Sequence, residues 1–373
     1  MTKQNSKALQ GIAILLMFFH HFFLNAGIYT DQKFLTDNFL RFPEVTEHMA
    51  WAARCCVGLF AFLSGYGLYH LFRNKSSFGE CFRVSLIRIL KLYGSLLLVI
   101  LAGVVLVRFL LGEPVYWSAL PKNLLAYDPS WNGSWWYVLE YVWMLLLAPV
   151  LWYLLQGSRG KGMKAAVIAV LLVVWAWIAG IIPVSGTVTS FVQEHVHLVF
   201  LYIFAEGYAA AALQDYGASL DEKWDAVAKK GRPAVPMGAE KVVRLVLRFL
   251  FGVLLIAVAV ILRYVSTREA GYAKIDVIVV PMLCWGFSIV FRYLGFLEKL
   301  LGFFGKHSLY MWLTQVLIFE RTVFAIRWAG GPVVFYLAEV CMALCTAYIL
   351  ETIARIPGLF LRNLKKEENK KIS

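Results

Sequence analysis

Charge is what this chain has least of: 16% of its residues are charged and 60% are hydrophobic, where an ordinary soluble domain carries roughly a quarter charged. That shortage excludes a soluble globular fold, because too much apolar surface would be left facing water. Cysteine is scarce as well. The six cysteines, at 55, 56, 81, 284, 341 and 345, include no C-x-x-C pair, so neither a disulfide framework nor a zinc or other metal site is expected. Ten-residue segments of alternating polarity are missing, which excludes a transmembrane β-barrel. Also absent are a repeat of 20–50 residues and an inverted pair of Gly/Pro-broken helices, and this argues against a transporter.

Long apolar runs are what the chain has instead. Ten segments are long enough to cross a ~30 Å hydrocarbon core as helices: 8–27, 51–71, 86–111, 134–155, 165–183, 193–213, 243–264, 275–296, 307–326 and 332–354. The expected fold is an all-α integral membrane bundle of about ten transmembrane helices, a single membrane domain over 1–373 with a cytoplasmic tail at 355–373. With the N-terminus in the cytoplasm, 26 of the 36 Lys and Arg residues fall in or beside cytoplasmic segments. The positive-inside rule then puts both termini in the cytoplasm of a multi-pass cell-membrane protein. The net charge of +13 is explained by basic loops at an anionic inner leaflet of the lipid bilayer, with no nucleic acid as partner. The first span follows a basic "MTKQNSK" and lacks an A-x-A site, so an uncleaved signal-anchor is expected. The longest hydrophilic stretch, 213–241, is expected to be a cytoplasmic linker.

Two adjacent histidines interrupt the first span, in "GIAILLMFFHHFF" (11–23). At about 100° per residue they point in different directions, so one of them is central at most. Eleven residues back from His21 is three turns plus about 20°, which puts Gln10 on its stripe roughly 16 Å lower. Lys7 lies one turn further. Below His20 the line reads Leu9, Ala13 and Leu16. His21 therefore stands on the polar face. A membrane histidine is often a structural hydrogen-bonding group, but ionisable groups at depth also mark sites.

Five segments carry a resemblance: "KALQGIAILLMFFHHF", "VGLFAFLSGYGLY" (57–69), "RVSLIRILKLY" (83–93), "WWYVLEYVWMLLLAPV" (135–150) and "LGFFGKHSLYMWLTQ" (301–315). In that order they resemble the landmarks of the acyltransferase-3 family. The resemblance covers nearly the whole chain. It implies ten-helix enzymes that move acetyl or other short acyl groups from acyl-CoA to surface glycans or other acceptors, lipid-linked ones included. It also implies acetyl-CoA as donor substrate and no bound cofactor. His21 matches the family's first-helix histidine. Gln10 stands where the family has Arg or Lys, and Gln315 where it often has His.

On that resemblance His21 is the catalytic general base, taking a proton from the acceptor hydroxyl, or a covalent acyl carrier. A basic residue some 16 Å below it would meet donor phosphates on the cytoplasmic side. Here Lys7, Arg83, Arg88 or Lys91 would supply that charge, beside Gln10. Positive-inside topology alone would also account for those four. Glu140, about seven residues inside the outer end of the fourth helix, is the first choice to orient the imidazole, and a carboxylate snorkelling beside Trp135 and Trp136 is the plainer account. Glu206 and Glu339 rank second. Ser64 and Ser308 carry over from the family motifs as substrate-binding positions, although Ser64-Gly65 also suits a small-residue helix contact. A proton-coupled transporter or flippase, or a catalytically degenerate partner of glycan export, is the alternative.

Overall fold

The computed structural model describes residues 1–25, 43–157, 169, 198–228, 239–266, 272–322 and 331–372. Among the described residues there is helix and no strand. The helices are α1 (Lys3–Asn25), α2 (Pro43–Ala52), α3 (Cys56–Phe72), α4 (Phe78–Val99), α5 (Val107–Leu110) and α6 (Leu120–Leu125). They continue with α7 (Trp136–Gly157), α8 (Leu198–Ala228), α9 (Ala239–Ser266), α10 (Asp276–Val290), α11 (Gly295–Thr322) and α12 (Pro332–Ile372). Each expected span that falls on described residues overlaps helix, although 51–71 is divided between α2 and α3, and 86–111 runs through α4, a π-type segment and α5. The span 165–183 lies outside the described residues except for residue 169.

Among the described residues six stretches are long and apolar enough to cross a membrane: Lys3–Leu24, Glu44–Phe72, Phe78–Leu110, Gly133–Leu155, Leu245–Ser266 and Pro332–Ile356. Leu198–Gln214 and Asp276–Val290 are shorter apolar helices. α11 is not among them, because Glu298, Lys299, Lys306, His307, Gln315, Glu320 and Arg321 dilute its apolar character. On α9, Leu247, Leu254, Ile261 and Val265 are all exposed. An apolar face of that extent is a liability in water and the natural surface of a helix in lipid.

Three helices overrun the spans that hydropathy marks. α8 continues to Ala228 through "QDYGASLDEKWDAVA", into the expected linker. α11 begins at Gly295, and α12 runs through the tail to Ile372. The cause is intrinsic propensity, since Ala, Leu, Lys and Glu hold a helix after the apolar signal has ended.

The chain divides into two compact units. The first comprises Met1–Met17, His48–Ile89 and Glu140–Gly305. Its helices meet at backbone contact. A Cβ on Gly65 of α3 would stand 1.9 Å from the Phe204 carbonyl oxygen of α8, and one on Gly207 would stand 2.1 Å from that of Phe62. The start of α1 meets α11 in the same way, with a Cβ on Gly305 only 1.8 Å from the Lys7 carbonyl oxygen. Only glycine permits such an approach. The same unit buries an ion pair, Arg263 Nε to Asp276 Oδ1 at 2.7 Å, with the side chains 2% and 1% exposed.

The second unit comprises Phe18–Glu47, Leu90–Leu139 and Lys306–Ser373. A widened π-type segment, Ile100–Leu106, joins α4 to α5. The loop before α7 is tied to one carbonyl of α11: Leu313 O accepts from Asn132 Nδ2 at 3.2 Å and from Trp135 Nε1 at 2.9 Å. Asn132 Oδ1 in turn accepts from Ser134 N at 2.9 Å and Ser134 Oγ at 2.6 Å. Phe22 packs against Phe335 and Phe319 with ring centroids 5.7 and 5.8 Å apart. Lower on α11, His307 Nδ1 lies 3.0 Å from Glu351 Oε1 of α12.

Candidate functional site

A cavity of about 350 Å³ lies within the second unit. Helical spacing explains its walls, because residues three or four apart share a face. α1 contributes Phe18, His21 and Phe22; α11 contributes Gln315, Val316, Phe319 and Glu320; α12 contributes Tyr336 and Glu339. The turn before α7 adds Gly133 and Ser134, and the first residue of α7 adds Trp136. Gly133 and Glu320 are the exposed members, so the cavity opens on their side.

At its wall Gln315 Nε2 stands 2.7 Å from His21 Nδ1. An amide can meet an imidazole nitrogen in either sense, and the two senses select different tautomers. With the amide nitrogen toward the ring, Nδ1 accepts and Nε2 carries the proton. With the amide oxygen toward the ring, Nδ1–H donates and Nε2 keeps its lone pair. Gln315 itself is 3% exposed, and its Oε1 makes no hydrogen bond.

Glu339 is a further buried polar group in the lining, 2% exposed, beside Gln315 and Ser134. Its Oε1 accepts from the Thr322 hydroxyl, while Oε2 makes no hydrogen bond. Five aromatic rings, from Phe18, Phe22, Trp136, Phe319 and Tyr336, surround these polar atoms. Among the described residues no Lys or Arg lines the cavity. Arg321, next to Glu320, forms a bidentate pair with Glu113, Nη2 donating to Oε2 at 2.6 Å. That hydrogen bond holds the Glu113 carboxyl below the usual carboxylate range.

Of the residues singled out in the sequence, His21, Gln315 and the second-ranked Glu339 all line the cavity. Gln10 lies in the first unit, where its Oε1 accepts from Lys7 Nζ at 2.8 Å. A cation therefore stands beside the position where the family pattern has a basic residue. Arg83, Arg88 and Lys91 are exposed on α4. Ser64 is half-buried in α3 and Ser308 half-buried in α11; neither lines the cavity. Glu140 is buried in α7, at 5% exposure, and belongs to the first unit. The His20 ring lies 5.2 Å from that of His21, but His20 does not line the cavity.

Sequence reasoning did not anticipate the role of the loop 131–135, or the pairing of His21 with Gln315 across 294 positions. A usable signal was the spacing Phe18-x-x-His21-Phe22 beside Tyr336-x-x-Glu339, two helical faces that each mix aromatic and polar residues.

The sequence profile of a family described as an acyltransferase domain matches residues 5–352. No curated protein and no solved structure matches the chain.

Proposed function

Because the chain belongs to the acyltransferase-3 family, a family of membrane acyltransferases, we propose that it transfers an acetyl or other short acyl group from acyl-CoA to a hydroxyl of a surface glycan or lipid-linked acceptor. The observation that carries this reading is the His21–Gln315 contact in the wall of an aromatic cavity. The bundle of about ten helices sits in the cell membrane with both termini in the cytoplasm.

His21 is the general base: the Gln315 amide, turned so that Oε1 in place of Nε2 faces the ring, accepts from Nδ1–H, and Nε2 of the ring faces the acceptor. An amide then does what a carboxylate does in a serine triad: it selects the tautomer and fixes the ring. The acceptor O–H gives its proton to Nε2 as its oxygen bonds to the thioester carbonyl carbon. The C–S bond breaks, its electron pair leaves with sulfur, and the imidazolium returns the proton to give the free thiol and an ester. Glu140 supports the imidazole. Lys7, held beside Gln10, takes donor phosphate together with Arg83, Arg88 and Lys91. Ser64 and Ser308 contact the donor arm.

The test is thiol release from acetyl-CoA by the full chain in lipid nanodiscs with a glycan acceptor present. Release that falls away in His21→Ala, at unchanged membrane yield, supports the reading. A wild-type protein that consumes no thioester would instead be a transporter or a non-catalytic partner of glycan export.

A further inference from the structure

From the segment 112–132, which leads to the cavity mouth, we infer where the acceptor comes from: the segment is seated in the outer lipid interface, and the cavity takes a saccharide carried on a lipid of the outer leaflet. This rests on the acyl-transfer reading and its orientation, and it chooses between the two acceptors named there. With the N-terminus in the cytoplasm and three spans before it, the segment lies on the outer side. Both of its ends are tied to α11. Near its start Glu113 pairs with Arg321, and at its end Asn132 Nδ2 donates to Leu313 O at 3.2 Å. Those two points on α11 are eight residues apart, about 12 Å along the helix. Charged side chains near the end of a membrane helix sit in the headgroup layer, which places Glu320 and Arg321 there. The segment therefore descends from the headgroups toward the hydrocarbon.

Its chemistry suits that layer. Tyr116, Trp117, Leu125 and Tyr127 are all more than half exposed. They continue the exposed apolar surface of Phe109, Leu110 and Leu111, where the membrane-length stretch Phe78–Leu110 ends. Tyr and Trp collect at the membrane–water boundary, because an apolar ring with a polar tip suits both sides of it. The segment's three charged residues are all paired within the protein: Glu113 with Arg321, and Lys122 Nζ with Asp128 Oδ2 at 2.8 Å. Non-helical backbone needs partners wherever water is scarce. The wholly buried Asn123 supplies them, its Nδ2 donating to Ala119 O at 2.9 Å and its Oδ1 accepting from Trp131 N at 2.8 Å. A platform for stacking a water-soluble glycan would set polar side chains beside its rings. Here the exposed neighbours are Leu125 and the apolar end of α5.

The place of the cavity mouth follows. Gly133, on the open side, is the residue after the tied Asn132, and Glu320 stands at the other edge beside Arg321. The mouth thus runs from the headgroup level to the layer beneath it, and a sugar on a lipid can enter sideways. Anchoring in the leaflet raises the local concentration of such a sugar at the mouth without any new contact. The volume of about 350 Å³ is at the small end of ligand cavities. It admits the sugar and leaves the lipid chains in the leaflet.

The experiment reads lipid contact separately from turnover. Benzoylphenylalanine is placed singly at Leu110, Trp117, Tyr127 or Glu320 of the full chain in phosphatidylcholine nanodiscs doped with glucosyl, galactosyl and N-acetylglucosaminyl dialkylglycerols. After irradiation the adducts are identified by mass spectrometry. Leu110, exposed in a membrane-length stretch, is the positive control. Lipid adducts are expected at Trp117 and Tyr127 as at Leu110, and the Glu320 probe should capture one of the glycolipids at least about tenfold above its share of the lipid. Thiol release from acetyl-CoA is then compared for the same sugars as lipid-borne and as soluble methyl glycosides, and the lipid-borne form should support it at least about tenfold better. His21→Ala should lose release and keep every adduct. A wild type that releases no thiol but gives the full adduct pattern removes the acyl-transfer reading and still supports lipid-borne entry, so the two failures are distinguishable. Labelling at Leu110 with none at Trp117 and Tyr127, no enrichment of any glycolipid at Glu320, or release supported equally by the soluble glycosides would each overturn the inference.

Discussion

Two buried carboxylates divide the molecule more clearly than its helices do. Asp276, in the first unit, lies 2.7 Å from the Arg263 guanidinium, and both side chains are sealed from solvent. Glu339, in the second, has one hydroxyl for a partner, one bare oxygen and a cavity in front of it. Their surroundings differ in the same sense. The first unit brings helices to backbone contact through Gly65 and Gly207, whereas the second spaces aromatic rings around a void. A charge neutralised inside the fold reports architecture, and one left half-satisfied beside a void reports a ligand.

The largest expected effect is on the cavity side of that contrast. His21→Ala should lower acyl transfer by about 10²- to 10⁴-fold, the range for a lost general base, while membrane yield stays near wild type. His20→Ala is the internal control, since the two rings are neighbours 5.2 Å apart and only His21 lines the cavity. Glu140→Gln should impair transfer without adding to the His21→Ala loss, because residues that act as one unit are non-additive. Equal activity in the two histidine variants would remove the assignment.

Next comes the sealed pair. Arg263→Met or Asp276→Asn leaves one buried charge uncompensated and should cost about 3–5 kcal/mol of stability, read as lost yield and a lower melting temperature in detergent. The double variant Arg263→Met/Asp276→Leu should recover most of it, because a buried ion pair is often replaceable by packed apolar groups. If the double variant is as damaged as the singles, Arg263 and Asp276 do more than neutralise each other. The contrast with Glu339 would then fail.

The two sides were not equally legible in the sequence. Apolar runs announce helices that must hide their backbone in lipid, so the spans from α1 to α12 could be read wherever residues are described. The polar overruns of α8, α11 and α12 could not, because hydropathy is silent on a helix that continues past the apolar boundary. For the site, helix arithmetic on one segment separated His21 from His20. No local rule joins residue 21 to residue 315, and only the order of motifs pointed to Gln315 at all. Asn132 and Trp135 were invisible for a related reason: their partner is the backbone oxygen of Leu313, and a backbone acceptor leaves no trace in residue type. Glu339 was visible as an acid in an apolar run, but its half-satisfied state is a property of packing.

Smaller effects follow at the glycine contacts and at the donor cations. Gly65→Ala forces α3 from α8, since the new Cβ would sit 1.9 Å from the Phe204 carbonyl oxygen. Overpacking of this kind should cost about 1–3 kcal/mol, with little change in the KM for acceptor among molecules that remain folded. Arg83→Gln and Arg88→Gln should raise the KM for acyl-CoA by a few fold with kcat retained, and the wild-type KM should rise with salt, because these groups are exposed and screened. Unchanged donor kinetics in both variants would return them to a purely topological role.

The smallest effect is expected where a charge is neither sealed nor half-satisfied, at the exposed pair of Glu113 and Arg321. Its geometry is bidentate, yet both side chains are more than a third exposed, at 36% and 40%. Water and salt screen the attraction, and ordering two side chains offsets much of what is left. Glu113→Gln should therefore leave the melting temperature within error, even though it removes a bidentate contact. The pH dependence has a definite sign. Arg321 depresses the Glu113 carboxyl in the folded state, so any contribution is present above the unfolded value of about 4.3 and is lost as pH falls through the folded one. Stability of wild type and Glu113→Gln should then run parallel from neutral pH down to about pH 5. A separation between the curves in that range, or a drop in acyl transfer matching His21→Ala, would make this clasp beside Glu320 part of the cavity's function.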